Sequence, residues 1–332
     1  MDWTIPGILE KYGRHLDDAM RQMACSCAPG GTCTRIADAL LENPGKRIRP
    51  ALVLGAHAAL GGQPEEALPL AAAVEWIHTA SLIHDDIEDL DHFRRGAPTV
   101  WRRFGVPHAI NAGDRILSGA LFQLASAGWS DKRRLSLLRM VLLEMEHMAL
   151  GQELDLELEG HAISFADYSA LCSGKTGALF RVCLAGPALL VKPENEDLLE
   201  RLQNAGTLLG ELFQRRDDIA DILGKKEGRT AGNDLRTGRA TCLVAQAAQS
   251  LQGNARDTFF SLHAHAKKHN PEETAKQMQR ILAQEGVIAA VMEAWRDLAR
   301  RFSENSKRFL PPELAYFLDD LRNRMDLTAD PP

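Results

Sequence analysis

Residues 68–89 read LPLAAAVEWIHTASLIHDDIED, an alanine-rich apolar run that closes in three aspartates and a glutamate. Only Pro69 interrupts the helix-favouring residues up to Phe93, and it stands in the first turn, where its missing N–H costs nothing. At 3.6 residues per turn Asp85 and Asp89 lie within about 40° of each other, with Asp86 about 100° away from Asp85. Val74, His78 and Ser81 share the side of Asp85 and Asp89. Carboxylates this close repel and raise one another's pKa. A divalent cation removes the conflict, and an all-oxygen donor set suits magnesium, which takes one or two carboxylates and keeps water or phosphate in its remaining positions. The competing reading is a solvated acidic helix end. It places acids at the C-terminus, where the macrodipole disfavours them.

Residues 210–223, GELFQRRDDIADIL, repeat the pattern: Asp217, Asp218 and Asp221 carry the spacing of Asp85, Asp86 and Asp89 at the end of a second apolar helix, about 130 residues further on. One such triplet is a modest signal. Two, each after a long helical run, are much stronger. Facing each other across a helix bundle they would hold several magnesium ions around one diphosphate.

The rest of the chain supports an all-α fold. Apolar residues recur every three or four positions in 65–92, 107–127, 133–159, 164–191, 195–223, 240–252, 272–301 and 312–327. Gly and Pro fall between these segments, and alternating β-branched runs are scarce. The expectation is one all-α domain spanning 1–332, with ten or more helices and no clear linker, and with its motifs within 45–250. The longest non-periodic stretch, 224–238 (GKKEGRTAGNDLRTG), is too polar to pack and reads as a functional loop.

Composition narrows the classes. The 332 residues are 45% apolar and 25% charged, an ordinary globular balance, and the net charge of -6 argues against general nucleic-acid binding. No apolar stretch approaches the length of about 20 residues needed to span a bilayer. The start, MDWTIPGILEKYGRHLDD, lacks a basic region followed by an apolar one, so a cytosolic protein with reduced thiols is expected. Of six cysteines, Cys172, Cys183 and Cys242 read as small core residues. Cys25, Cys27 and Cys33 cluster in MACSCAPGGTC without a histidine at ligand spacing, which favours a loop that happens to hold thiols over a metal site.

The cations complement the acids. Lys46, Arg47 and Arg49 lie in GKRIRP (45–50), Arg94 and Arg95 follow the first triplet, Lys175 and Thr176 lie in SGKTGALF, and Arg229 and Arg239 bracket the polar loop. Arginine forks match phosphate oxygens and lysine supplies a point charge, although any one of them alone reads as a surface cation. A P-loop is rejected for GKT, because the glycine-rich frame and the preceding strand are both missing.

Taken together, GKRIRP (45–50), HTASLIHDDIED (78–89), RRGAPTVW (94–101), INAGD (110–114), GQELDL (151–156), KTGALF (175–180), FQRRDDIAD (213–221) and GRTAGNDLRTGRAT (228–241) resemble the trans-isoprenyl diphosphate synthases, or polyprenyl synthetases, in order and over most of 45–250. The stretch from Asp85 to Asp114 is most similar to geranylgeranyl diphosphate synthases. The resemblance implies a bundle of about a dozen helices around a deep cavity, in a homodimer, in which Asp85, Asp86, Asp89, Asp217, Asp218 and Asp221 bind magnesium, three ions once substrate is present. It implies that Lys46, Arg49, His78 and Arg95 hold isopentenyl diphosphate, and that Arg94, Lys175, Thr176 and Gln214 meet the allylic diphosphate or its developing charge. Arg229 and Arg239 stand where the family usually has lysines. The family's usual Thr-Leu-Pro after this motif is Thr241-Cys242-Leu243 here, so the following helix is expected to start differently.

The implied reaction is head-to-tail prenyl transfer: the allylic C–O bond ionises, the isopentenyl double bond attacks, and the proton leaves to the departing diphosphate. No protein base is needed, and none is evident in these motifs. Product length would follow from what stands below Asp85. Ala80 and Ser81 lie one turn earlier, where in this family a bulky aromatic stops growth at fifteen carbons. Both are small, with Val74 and Ile77 next below, so a product of twenty carbons or more is expected. The alternative is that Ala80 and Ser81 only pack against neighbours. A class I terpene cyclase shares the first triplet but usually carries an Asn/Ser/Glu triad in place of the second and needs no isopentenyl anchors. A non-catalytic subunit that binds prenyl diphosphates is expected to have lost acids from one triplet. Head-to-head coupling also leaves the isopentenyl anchors without a role.

Overall fold

The computed structural model describes residues 4–25, 31–42, 45–225, 231–268 and 270–326, and helix dominates among them. In chain order the helices are α1 (Ile5–Cys25), α2 (Thr32–Glu42), α3 (Ile48–Ala59), α4 (Leu68–Glu88), α5 (Val100–Phe104), α6 (Val106–Ser126), α7 (Asp131–Glu157) and α8 (Phe165–Cys172). They continue as α9 (Ala178–Val191), α10 (Glu196–Ile222), α11 (Asn233–Arg236), α12 (Cys242–Ser250), α13 (Gly253–Ala264), α14 (Pro271–Gln284), α15 (Val287–Phe309) and α16 (Pro312–Arg324). The only strands among the described residues are the two-residue pair β1 (Phe93–Arg94) and β2 (Ala97–Pro98). The chain forms two compact units. The first comprises Met1–Leu143, Leu179–Gly206 and Ser306–Leu321; the second comprises Glu144–Ala178, Thr207–Asn305 and Arg322–Pro332.

In the first unit α4 is the central element, packed against α1, α3 and α6. Its run from Leu70 to Ile77 is buried throughout, including one acid, Glu75. The Trp76 indole satisfies its single donor on the carbonyl of Met20, 3.1 Å away. Gly55 admits the Phe317 ring so closely that a Cβ there would lie 2.5 Å from Phe317 Cε1. Helix α4 stops at Glu88, earlier than the periodicity predicts. Asp89 caps it, and Leu90 leaves in the left-handed region at φ 57°. The next residues pair as an antiparallel ribbon whose turn, Arg95-Gly96, has positive φ at both positions, the signature of the tight turns that suit strand twist.

In the second unit α8 starts with a capping box: the Ser164 side chain accepts from the Asp167 N–H, and the Asp167 carboxylate accepts from the Ser164 N–H. Residues 173–177 (SGKTG) form a wide π-turn that joins α8 to α9 without a break. Such turns insert one residue into a helix and often mark functional positions. Glycines allow backbones to meet there: a Cβ at Gly151 would fall 2.2 Å from the Lys175 nitrogen, and one at Gly210 would fall 2.4 Å from the Gly177 Cα.

Several boundaries correct the periodic reading. The segment 272–301 is two helices, separated at Gly286 with φ +71°. Helices α1, α2, α3, α5, α11 and α13 lie outside the periodic segments, and α11 lies inside the stretch read as loop. The continuous helix Phe165–Val191 is long and apolar enough to cross a bilayer, contrary to expectation, but 78% of its apolar window is buried, as in a core helix. Cys172, Cys183 and Cys242 are buried free thiols, and burial pushes Cys183 up to about 12. Cys33 is a half-buried free thiol, while Cys27 and the Cys25 side chain lie outside the described residues.

Candidate active site

The first unit gathers the predicted isopentenyl anchors. GKRIRP turns into α3 with Gly45 at φ +66° and Arg47 at φ +49°. Arg47 does not face outward. It is 9% exposed, donates to Glu75 Oε1 at 3.2 Å and reaches Asp17 at 3.4 Å. Two residues along, Arg49 Nη1 lies 3.1 Å from His78 Nε2. Since a guanidinium only donates, His78 accepts at Nε2 and carries its proton on Nδ1. Burial, with Arg49, Arg95 and Arg94 around it, holds the imidazole well below its usual pKa, so it is neutral. Arg49 also stacks over the Phe180 ring at 4.9 Å.

Gly45 serves Arg95 directly: a Cβ on Gly45 would stand 2.2 Å from Arg95 Nη1. Burial raises the Glu75 carboxyl above its usual value, while Arg47, Arg49 and Arg95 pull it back. Glu75 is thus the counter-charge behind three arginines. His78, Arg94, Arg95, Arg47 and Asp86 all line a cavity of about 180 Å³ whose apolar wall includes Ile36, Leu40, Leu82 and Phe104. Lys46, at the mouth of the turn, is exposed.

The first acidic triplet divides. Asp86 is buried, and Arg94 donates to its Oδ1 from Nε and Nη2, both at 2.7 Å. Asp85 and Asp89 are half-buried, one on the last turn of α4 and one at its cap. INAGD supports this helix end: Gly113 leaves room for the His84 ring, which a Cβ would meet at 2.2 Å, and Asp114 lies 3.6 Å from His84 Nε2.

The second triplet, in the second unit, divides likewise. Asp218 is 2% exposed and accepts from the Tyr168 hydroxyl at 2.7 Å, the Cys242 N–H at 2.9 Å and Gln214 Nε2 at 3.0 Å. Burial, with Asp234 nearby, pushes its pKa up to about 7 despite these donors. Asp221, also 2% exposed, accepts from the Asp234 N–H at 3.0 Å and so fixes the start of α11. Asp217 is the half-buried member. The Thr176 hydroxyl donates to Gln214 Oε1 at 2.8 Å, which ties the π-turn to Asp218 through Gln214. Helix α12 begins on a Thr241 cap whose side chain accepts from the Val244 N–H at 3.3 Å, so Thr-Cys-Leu starts the helix without a proline. Lys175 and Arg239 both bond Asp155 Oδ2, each at 2.6 Å. Arg229 lies outside the described residues.

The sequence profile of the polyprenyl synthetases matches residues 31–282. The chain belongs to the polyprenyl synthetase family. Family membership carries trans-prenyl diphosphate synthase activity. The chain is 32% identical to a geranylgeranyl pyrophosphate synthase of Geoglobus acetivorans over 92% of each protein. It is also 38% identical to a farnesyl diphosphate synthase of Geobacillus stearothermophilus over 69% of this chain and 78% of that one. Its fold matches the crystal structure of a geranylgeranyl pyrophosphate synthetase from Pyrococcus horikoshii with a TM-score of 0.85, at 29% identity over 98% of both chains. Relatives of both product lengths therefore stand near this synthetase.

Among the described residues no three His, Cys, Asp or Glu side chains converge on one metal-sized point. Magnesium typically takes one or two carboxylates and fills its remaining positions with water and phosphate. The Asp85/Asp89 pair supplies two acids one turn apart, with oxygen donors only.

Sequence reasoning did not assign Glu75, Asp155 or Tyr168. Glu75 is a lone acid inside AAAVEWI, and Asp155 sits in the quoted GQELDL, so each carried a visible signal: an acid at a position where the apolar period expects core.

Proposed function

We propose that this synthetase condenses isopentenyl diphosphate with an allylic diphosphate (dimethylallyl, geranyl or farnesyl) and releases an all-trans prenyl diphosphate of twenty carbons or more. The observation that carries the reading is the pairing of a neutral His78 with Arg49 beside Arg95, on the helix that ends in Asp85 and Asp89. A terpene cyclase has no use for that second anion site.

In this reading Asp85, Asp89 and Asp217 are the metal-facing acids, with Asp86, Asp218 and Asp221 completing the triplets by holding Arg94, α12 and α11. Bound magnesium would neutralise the allylic diphosphate and so make it a better leaving group. The chain's own groups do the rest. Lys46, Arg49, His78 and Arg95 orient isopentenyl diphosphate, the neutral imidazole donating from Nδ1 without adding charge. Arg94, Lys175, Thr176, Gln214 and Arg239 stabilise charge that develops on the leaving group, and Arg229 adds a further cation. In this reading both triplets are needed for the reaction. The proton released after attack goes to the departing diphosphate, since His78 is engaged by Arg49 and no carboxylate need act as base.

Small side chains support the longer product. Ser81 is half-buried, and its hydroxyl bonds its own helix at the His78 carbonyl, 2.9 Å away. Ala80, Ile77 and Val74 are buried. The reading includes one catalytic domain over the whole chain, since the family match spans residues of both units, and a cytosolic place of action. It also includes a homodimer. Helix α7 leaves Leu135, Leu142, Leu143, Leu150 and Leu156 between 44% and 60% exposed, a row of apolar side chains that a second copy would cover.

The test is incubation with isopentenyl diphosphate, each allylic diphosphate in turn, and magnesium, followed by chromatography of the dephosphorylated products. Geranylgeraniol or longer, formed only when isopentenyl diphosphate is present, supports the proposal. A cyclised hydrocarbon formed without it contradicts the proposal.

A further inference from the structure

We propose that Asp155 is a positioning residue that holds Lys175 and Arg239 as one preset cation pair for the allylic diphosphate. The inference rests on the prenyl-transfer reading and extends it to a residue that touches no substrate.

Three elements meet at this carboxylate. Asp155 lies on α7, Lys175 in the π-turn 20 residues along, and Arg239 at the end of the polar loop, 84 residues along. One oxygen, Oδ2, takes both cations at 2.6 Å. The Asp155 side chain is 7% exposed, against 21% for Lys175 and 19% for Arg239. The carboxylate thus sits behind, and the cations retain an outer side. Two unit charges this close repel strongly unless an opposite charge stands between them. An ammonium has three donors and a guanidinium five, so each cation keeps donors for a phosphate oxygen after bonding Asp155.

The backbone shows the same arrangement. Gly151 lies one turn before Asp155 on α7 and touches the π-turn backbone, where a Cβ would come 2.2 Å from the Lys175 nitrogen. Gly174 approaches the same point, with a Cβ reaching 2.9 Å from the Gly151 Cα. On the other side, the Gly160 N–H donates to the Gly238 carbonyl at 2.8 Å, anchoring the residue before Arg239. Both cations therefore reach Asp155 from backbones pinned to the region around it. A flexible lysine and a loop arginine are held at one place before substrate arrives. The gain is pre-organisation of the groups that meet the leaving oxygen.

The test uses the full chain with Asp155→Asn and Asp155→Glu. Each substrate is varied separately in steady-state assays, inorganic pyrophosphate binding is followed by calorimetry, and melting temperatures are recorded. Misplacing catalytic groups by about 1 Å costs about 100-fold, so Asp155→Asn is expected to cut kcat/KM for the allylic substrate by about that factor. KM for isopentenyl diphosphate should stay within about twofold, because a uniform loss would show in both substrates. Pyrophosphate should bind more weakly to this variant. Asp155→Glu keeps the charge but shifts it, and should lose about tenfold, consistent with partial loss of positioning. This variant carries the test should the asparagine variant not fold.

Allylic kinetics at the wild-type level in either variant overturn the proposal, as does an equal rise in both KM values. If the wild-type chain forms no isopentenyl-dependent product, the underlying reading fails instead. An active wild type with an unaffected Asp155→Asn sinks only this inference.

Discussion

Arg94 donates to Asp86 Oδ1 from Nε and Nη2, both at 2.7 Å, and the carboxylate it holds is 5% exposed. Three aspartates that look equivalent in sequence therefore have different work. Asp86 fixes an arginine, while Asp85 and Asp89 are half-buried at the helix end. Asp86→Asn should lower stability by about 1–3 kcal/mol, the cost of weakening a charged buried bond. Asp85→Asn and Asp89→Asn should melt near the wild type without magnesium but lose the rise in melting temperature that magnesium and pyrophosphate together give the wild type. Thermal melts of the three variants, with and without both ligands, check this. Equal behaviour of all three would contradict the division.

Gly45 makes room for the Arg95 guanidinium. Gly45→Ala would put a Cβ 2.2 Å from Nη1 at a backbone φ of +66°, so Arg95 must move. KM for isopentenyl diphosphate should rise about tenfold, equivalent to about 1.4 kcal/mol, with KM for the allylic substrate little changed. Separate titration of the two substrates measures it.

Chain length is best probed at Ser81. Ala80 has no exposed surface, so phenylalanine there overpacks α4 as well as blocking any tail. Ser81 is half-buried and tolerates bulk more readily. Ser81→Phe should shift the main product to fifteen carbons while retaining turnover. Unchanged product length on chromatography would remove this position from the account.

His263 supplies a pH signature of stability. It is 1% exposed, stacks on Phe259 at 6.0 Å, and burial lowers its pKa to about 4 from an ordinary 6.5. Between those values the unfolded chain binds the proton and the folded chain does not, so stability falls as pH drops from about 6.5 and the loss saturates near 4. The penalty amounts to a few kcal/mol at most. His263→Phe should flatten the acid side of the stability curve, measured by urea unfolding between pH 7 and 4.5. An unchanged slope would show that the ring is not the titrating group.

The helices carrying both triplets were legible, because each is a long helix-favouring run that closes in clustered acids. The cations of GKRIRP and RRG were visible too, and the structure sets Arg47 on Glu75 and Arg94 on Asp86. The inward turn of Arg47 was not, because it depends on Glu75, 28 residues away, and on a left-handed backbone that the sequence marks only with Gly45. Nor was the inward use of Asp218, which needs Tyr168, 50 residues away, and the Cys242 N–H. The break at Gly286 was visible as a glycine in a helical period and was passed over, since a single glycine costs a helix only about 1 kcal/mol and often does not end it.

The central claim is that both triplets serve one magnesium-dependent prenyl transfer. It is tested most directly by the incorporation of labelled isopentenyl diphosphate into acid-labile product, with geranyl or farnesyl diphosphate and magnesium, for the wild type, Asp85→Asn and Asp217→Asn. The account predicts rapid incorporation by the wild type and a loss of about 100-fold or more in each variant, as removal of a group that stabilises leaving-group charge costs. Wild-type incorporation by either variant, or none by the wild type itself, would contradict it.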